Sequence, residues 1–219
     1  MPRAHPIFAL VFAGVAAIGE RSGYGRRRAE ALAGARGRLL IVGLGPGHDL
    51  AHLPRGVTDV IAIEPEPSMR AHSARRVRRT PVPTRLVGAV AEALPLPDAS
   101  VDSALAALVL CSVPDPAGAA AELRRVLRPG GTLHVLEHVH ASPGSRLRLW
   151  QDRLDPLWSR LAAGCHLTRD TRHVLVDGGF DTAQLRDITV RLAPPLVAPH
   201  LVGAARPLES KEGPGVDPS

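Results

Sequence analysis

The sequence predicts an α/β fold built on a doubly wound, mostly parallel sheet. Three observations carry that reading. Apolar runs of strand length alternate with segments of helical periodicity over about a hundred residues. The runs are apolar throughout, as in strands buried on both faces. A glycine-rich turn closes the first run. The chain has 219 residues, enough for one three-layer core and little more.

Taken in order, Ile7–Gly19 is an apolar stretch too short to cross a bilayer, which takes roughly 20 residues. It reads as an amphipathic or buried helix, or as a weak contact with a membrane surface. Residues 20–36 end in a helix with a basic, solvated face. Leu39–Val42 is the first strand and Val60–Ile63 the second, ending at Glu64. Residues 66–79 suit a helix with Pro65 and Pro67 at its start. Leu86 and Val87 mark a short third strand, and 101–110 a fourth. Residues 117–128 repeat apolar side chains at Ala120, Leu123 and Val126–Leu127, a helix stopped by Pro129-Gly130-Gly131. Residues 132–138 form a fifth strand, 145–163 and 168–178 two helices, and 186–192 and 198–205 the final strands. The expected units are an N-terminal helical lid (1–35), a core domain (36–206) with a helical cap (141–170), and a disordered tail rich in Pro, Gly and charge (207–219).

Composition narrows the function. Hydrophobic residues make up 45% and charged residues 22%, which fits a globular chain rather than a disordered one. Aromatics are only 3%, too few for modules that stack bases on rings. The formal charge is +6, yet every basic residue except Lys211 is arginine, in a chain rich in Ala, Gly and Pro. That pattern fits GC-rich coding, so the charge is weak evidence for an anionic partner. The Arg75-Arg76-Val77-Arg78-Arg79 run is either a phosphate-binding patch or a solvated helix face. Two cysteines, Cys111 and Cys165, form neither a disulfide framework nor a motif with metal-ligand spacing. A reducing cytoplasm and no metal are expected.

The strongest local signal is LLIVGLGPGHDL, residues 39–50, a strand running into Gly43, Gly45 and Gly47 before an expected helix. Such a loop turns sharply and lets its backbone approach a ligand. Glu64, at the end of the second strand, is spaced to accept the hydroxyls of a ribose. A dinucleotide loop would carry its third glycine or alanine where this chain has His48. That disfavours a nicotinamide dehydrogenase and leaves an S-adenosylmethionine site or an ordinary tight turn as the readings of the loop.

Later segments add to this. VAEALPLPDASVD (90–102), CSVPDP (111–116) and ELRRVLRPGGTLHVLEHV (122–139) resemble class I S-adenosylmethionine-dependent methyltransferases acting on small molecules. The Trp150…Asp155-Pro156…Trp158 stretch, GCHLTRDT (164–171) and APHLVGAARP (198–207) are similar to one subgroup, the thiol S-methyltransferases of animals and their bacterial relatives. The resemblance spans roughly residues 20–206. It implies a Rossmann-like sheet of seven strands with the last antiparallel. It implies that Gly43, Gly45 and Gly47 line the methionine end of the cofactor and that Glu64 binds the ribose. Pro65 and Met69 would pack near the adenine, with Val90, Ala91 and Glu92 at its edge. Leu110, Cys111 and Ser112 would lie beside the sulfonium and the acceptor. Two positions depart from the pattern. Val90 stands where relatives often carry a polar residue, and Leu10-Val11-Phe12-Ala13 stands where they often carry a Tyr-Asp pair over the cofactor.

Methyl transfer is an in-line displacement that chiefly needs alignment and exclusion of water. A base is needed only for a protonated nucleophile, and a thiol ionises near pH 8.5 with little help. His138 is the residue best suited as a base, with Glu137 beside it. His138 has a second reading, as a strand-end hydrogen-bonding residue. Asp155, Trp158, Cys165 and His166 are further pocket candidates, and Trp150 with Trp158 either packs the cap or closes over substrate. Phe8 and Phe12 are the remaining rings available to a pocket. The expected function is methyl transfer to a small-molecule acceptor, with a thiol as the candidate the resemblance implies. The alternative is a non-catalytic cofactor-binding or interaction protein that keeps the fold.

Overall fold

The computed structural model describes residues 6–191 and 193–208, with the side chains of residues 6–8, 11 and 22 excepted. The elements run α1 (Pro6–Gly19), a π-helical segment (Glu20–Tyr24), α2 (Gly25–Leu32), β1 (Gly37–Val42), β2 (Val57–Ile63), α3 (Pro67–Arg79), β3 (Thr84–Val87), β4 (Val101–Ala107), α4 (Pro116–Val126), β5 (Leu127–His138), α5 (Arg146–Leu161), α6 (Thr171–Asp177), β6 (Phe180–Asp181), β7 (Arg186–Thr189) and β8 (Pro199–Pro207). The expected tail is described only at Pro207, which ends β8, and Leu208; the remainder, and the Phe8 side chain, lie outside the described residues.

The strands form one sheet in the order β3-β2-β1-β4-β5-β8-β6, with β7 also paired to β8. β1 through β5 are mutually parallel, and β8 runs antiparallel to β5, β6 and β7. The described residues thus hold eight strands rather than seven, because Phe180 and Asp181 add a two-residue ladder at the end of β8. Successive residues of each central strand feed opposite faces. Leu40, Val42, Ile61, Ile63, Ala104 and Ala106 pack with α4 and α6. Leu39, Ile41, Val60, Ala62 and Leu105 pack with Ala31 and Leu32 of α2 and with Val77 of α3. Sequence order reverses where β1 lies between β2 and β4, and that switch point is where such sheets bind ligands.

Several boundaries differ from expectation for physical reasons. The helix expected after the glycine loop is a four-residue 3-10 turn, His48–Ala51, entered from Gly47 at φ 84°. Helix α4 ends at Val126 rather than 128. Arg128 precedes Pro129 and is biased toward extended backbone, and Leu127 already pairs with Val101 in the sheet. The arginines there have structural work: Arg125 donates to the Leu94 and Leu96 carbonyls and pairs with Asp98 and Glu122, fastening the loop before β4. The basic run of α3 places Arg76, Arg78 and Arg79 in its last turn, where cations suit the helix dipole, and Arg76 donates to the Pro46 carbonyl of the glycine loop. Helix α1 buries Ala9 and Ala13 but exposes Leu10, Val15 and Ile18, so its outer face is apolar. No helix among the described residues is long and apolar enough to cross a membrane.

Two histidines are sealed within the sheet. His134 of β5 bonds the Ala31 carbonyl at 2.7 Å, and His200 of β8 bonds the Ala198 carbonyl at 3.0 Å. Burial lowers both pKa values, that of His200 to about 4. Because the folded value lies below the unfolded 6.5, this stability is complete above pH 6.5 and drains away as pH falls toward 4. The loss attributable to His200 is about 3 kcal/mol. Urea titrations across that window should show it, with a shallower dependence in His200→Gln. In the same assay, Phe180→Ala should cost about 3–5 kcal/mol, since the ring is fully buried. Trp150→Ala, at a half-exposed position, should change stability by no more than about 0.5 kcal/mol.

Candidate active site

The carboxyl ends of β1, β2, β4 and β5 converge on one edge of the sheet. Gly43, Gly45 and Gly47 all take left-handed backbone, at φ 62°, 54° and 84°. A side chain at Gly43 would strike Val109 at 2.4 Å, because the loop after β1 packs directly on the loop after β4. At Gly45 a Cβ would meet nothing closer than the Gly43 carbonyl oxygen at 3.9 Å, so this face of the loop is open. Glu64 is buried beneath it. The Gly45 N–H donates to its Oε2 at 2.8 Å and the Glu66 N–H to its Oε1 at 3.0 Å. Burial raises the Glu64 pKa while these two donors oppose the rise. Each oxygen keeps a further lone pair, so the carboxylate can still accept from a hydroxyl. The cradle therefore fits the methionine and ribose portions of S-adenosylmethionine.

Pro65 gives its carbonyl to Arg70, and Met69 is buried in the first turn of α3. Ala91 packs in the core with Val42 and Ile63, whereas Val90 is exposed and bridges to Ala93. Glu92 accepts the Asp115 N–H at 3.3 Å.

On the acceptor side, Glu137 corrects the expectation that it is a catalytic group. It is fully buried, and its carboxylate accepts the N–H groups of Val109 and Leu110 at 2.8 Å each and of Cys111 at 3.4 Å. Burial raises its pKa against those donors. Its role is to shape the 109–111 loop. Leu110 is buried with it, and the Ser112 hydroxyl lies 3.4 Å from the Cys111 sulfur.

His138 is buried at the end of β5, with Nε2 2.8 Å from the Cys165 sulfur. Its Nδ1 is buried without a partner. Trp158 donates its indole N–H to the same sulfur at 3.5 Å. The donor atoms of Cys111, His138 and Cys165 all lie within 4.8 Å of one another. The fold thus brings together three residues that no spacing motif in the sequence links. The two thiols lie against each other, and this pairing lowers the Cys165 pKa and raises that of Cys111, the latter also by burial. Cys165 works with His138, not with its neighbour His166.

His166 instead faces Asp155 at 2.9 Å, and Asp155 also accepts the Leu167 N–H. That pair holds the loop after α5, while the His166 side chain stays partly exposed. Trp150 is corrected too. The buried side of α5 belongs to Gln151, which bonds the Ala141 N–H and the Leu196 carbonyl, and Trp150 projects outward. Phe12 is 42% exposed on α1.

Sequence reasoning missed Tyr24, although it is the only tyrosine. Its hydroxyl lies 3.0 Å from His200 Nε2, and its pKa is pushed up to about 12, mainly by burial. His200 Nδ1 donates to a carbonyl, so Nε2 accepts from Tyr24. The polar contact from the N-terminal segment therefore comes from Tyr24, not from Leu10–Ala13. A buried ion-pair group also went unseen: Arg28 holds Asp49 at 2.5 Å and Glu20 at 3.1 Å, with His52 on Glu20 at 2.6 Å. It bolts α2 to the turn that follows the glycine loop.

Residues 40–135 match the methyltransferase domain family. The chain is 35% identical to the human thiol S-methyltransferase TMT1A over 80% of its own length and 74% of that protein. It is 34% identical to the rat thiol S-methyltransferase TMT1B over 76% of its own length and 69% of that one. Among solved structures it is similar to the geranyl diphosphate C-methyltransferase of Streptomyces coelicolor (TM-score 0.64, 17% identity, covering 81% of this chain and 76% of that one). A methyltransferase of Methanosarcina mazei is also similar (TM-score 0.62, 20% identity, covering 79% and 93%). These two share the fold at identities too low to carry an acceptor. Sequence, sheet order and glycine cradle agree: the chain belongs to the class I S-adenosylmethionine-dependent methyltransferases.

Proposed function

We propose that this enzyme methylates the sulfur of a small-molecule thiol in the cytoplasm, where Cys111 and Cys165 stay reduced. The observation that carries the reading is the sulfur-handling wall at the end of β5. There an imidazole and an indole N–H converge on a thiol of lowered pKa. The named relatives at 34–35% identity are thiol S-methyltransferases, which supports the same class of acceptor.

S-adenosylmethionine supplies an activated methyl group on a sulfonium. The chain's own groups align and shield. Gly43, Gly45 and Gly47 let the backbone approach the methionine end, and Glu64 takes the ribose hydroxyls. Pro65, Met69, Val90 and Ala91 border the adenine, while Leu110, Cys111 and Ser112 lie beside the sulfonium. Glu137 is a positioning residue that sets the height of the 109–111 loop. His138 and Cys165 receive the proton of the incoming thiol, with Trp158 and Tyr24 closing the acceptor side. In-line geometry then does most of the work.

Calorimetry with S-adenosylhomocysteine should show binding that Gly45→Arg abolishes, because the new side chain fills the open face of a left-handed loop. Glu64→Ala should weaken it by about 10–100-fold, the worth of a charged hydrogen bond. Methyl transfer measured against thiols, phenols and amines should select thiols. Tight cofactor binding with no turnover on any of these would replace this reading by a non-catalytic one. The exposed Leu10, Val15 and Ile18 favour a second contact, of α1 with a lipid surface. Flotation with anionic vesicles should retain the protein, and Leu10→Glu with Ile18→Glu should release it.

A further inference from the structure

Cys111, His138 and Cys165 come from three separate segments: the loop after β4, the last residue of β5 and the turn after α5. Their ligating atoms nevertheless lie within 4.8 Å of one another, and two of the three residues are almost fully buried. The arrangement is fixed by the backbone. Glu137 holds the Cys111 N–H, and the His166 N–H donates to the Cys111 carbonyl at 2.8 Å, tying both cysteine segments together. Ala163 and Gly164 take consecutive left-handed conformations, φ 53° and 84°, reversing the chain so that Cys165 turns back toward His138. A non-glycine residue in that region carries strain, which the surrounding contacts must outweigh. The unpartnered Nδ1 leaves nothing to fix the ring proton on Nε2.

From this juxtaposition we propose that Cys111, His138 and Cys165 form a site for one soft divalent cation, Zn2+ by chemistry, with a fourth position open to a thiolate. Two thiolates and one imidazole are a donor set that selects such ions, and three protein ligands leave the open position typical of a catalytic site. Tetrahedral coordination with Zn–S of about 2.3 Å and Zn–N of about 2.0 Å separates sulfur from nitrogen by about 3.6 Å. The present 2.8 Å contact between His138 and Cys165 must therefore open by under an ångström, within reach of the turn at 163–164. Loading balances simply. The metal enters as a dication, one proton leaves the Cys111 thiol, and a second leaves the His138–Cys165 pair, giving a neutral centre and two protons in solution. An acceptor thiol that takes the fourth position would release its proton to solvent and be held as a thiolate; in the loaded site His138 and Cys165 are ligands and no longer take that proton. This last point rests on the thiol reading above; the metal site does not.

The test is titration of the reduced, anaerobic, full-length protein with Co2+. The expected result is one equivalent bound, with tetrahedral visible bands and a thiolate-to-cobalt charge-transfer band, release of two protons, and displacement by Zn2+. Cys165→Ser, a near-isosteric change at a half-buried position, should weaken binding by more than about 100-fold, since even outer-shell changes cost 10–100-fold. Retained S-adenosylhomocysteine binding shows that this variant is folded. A small thiol added to the cobalt protein should shift the visible bands. The inference is overturned if wild-type protein shows no charge-transfer band, if Cys165→Ser keeps it, or if isolated protein holds a metal-free Cys111–Cys165 disulfide. Unmoved bands on adding thiols would overturn the open position. Charge transfer without methylation of any thiol would leave the metal site standing and refute the thiol reading alone.

Discussion

A carboxylate with no access to water sits at the end of β5, and much of the site is hung on it. Glu137 would be a heavy burden in the core if unpaired, because a buried charge without partners costs several kcal/mol. Three consecutive backbone N–H groups of the 109–111 loop satisfy it. The bargain is mutual, since those N–H groups would otherwise be orphans at the end of β4. The loop can therefore take only one shape. Val109 then fills the space beside Gly43, and Cys111 is presented to His138 and Cys165. The two halves of the site share one anchor that touches neither ligand.

The buried Arg28 group serves the opposite flank. Arg28 bridges Asp49 and Glu20, and Glu20 in turn holds His52. Because the ordinary α-helix after the glycine loop is replaced here by a 3-10 turn, the loop lacks a long helix to brace it. The ion pairs and the Arg76 contact to the Pro46 carbonyl supply that bracing from α2 and α3. Arginine enrichment, read from composition as coding bias, is thus put to structural use at several positions.

Most of the sheet was legible because strands buried on both faces need uninterrupted apolar runs. Leu39–Val42 and Val60–Ile63 carry that requirement in four letters each. The glycine loop and Glu64 were legible because positive φ and a fixed spacing constrain residue type. The end of α4 was misread because pairing of Leu127 with Val101 is a long-range event. The thiol–imidazole cluster was invisible for the same reason: His138 and Cys165 stand 27 residues apart, with no local periodicity linking them. Glu137 was noticed for its chemistry and misassigned in role, since nothing in sequence distinguishes a buried carboxylate from a reactive one.

Strand β8 bears on how the molecule comes into being. It is the last described strand, yet it lies inside the sheet, against β5 on one side and β7 on the other. It also carries His200, the partner of Tyr24 from near the opposite end of the chain. Contacts of such long sequence separation form late, after the cost of closing the intervening loop has been met. A ribosome-bound chain can complete β1 through β4 and its glycine cradle well before residues 199–207 emerge. Of the contacts on the acceptor side, the Tyr24–His200 pair therefore waits for β8, whereas Cys111, His138 and Cys165 all precede that strand.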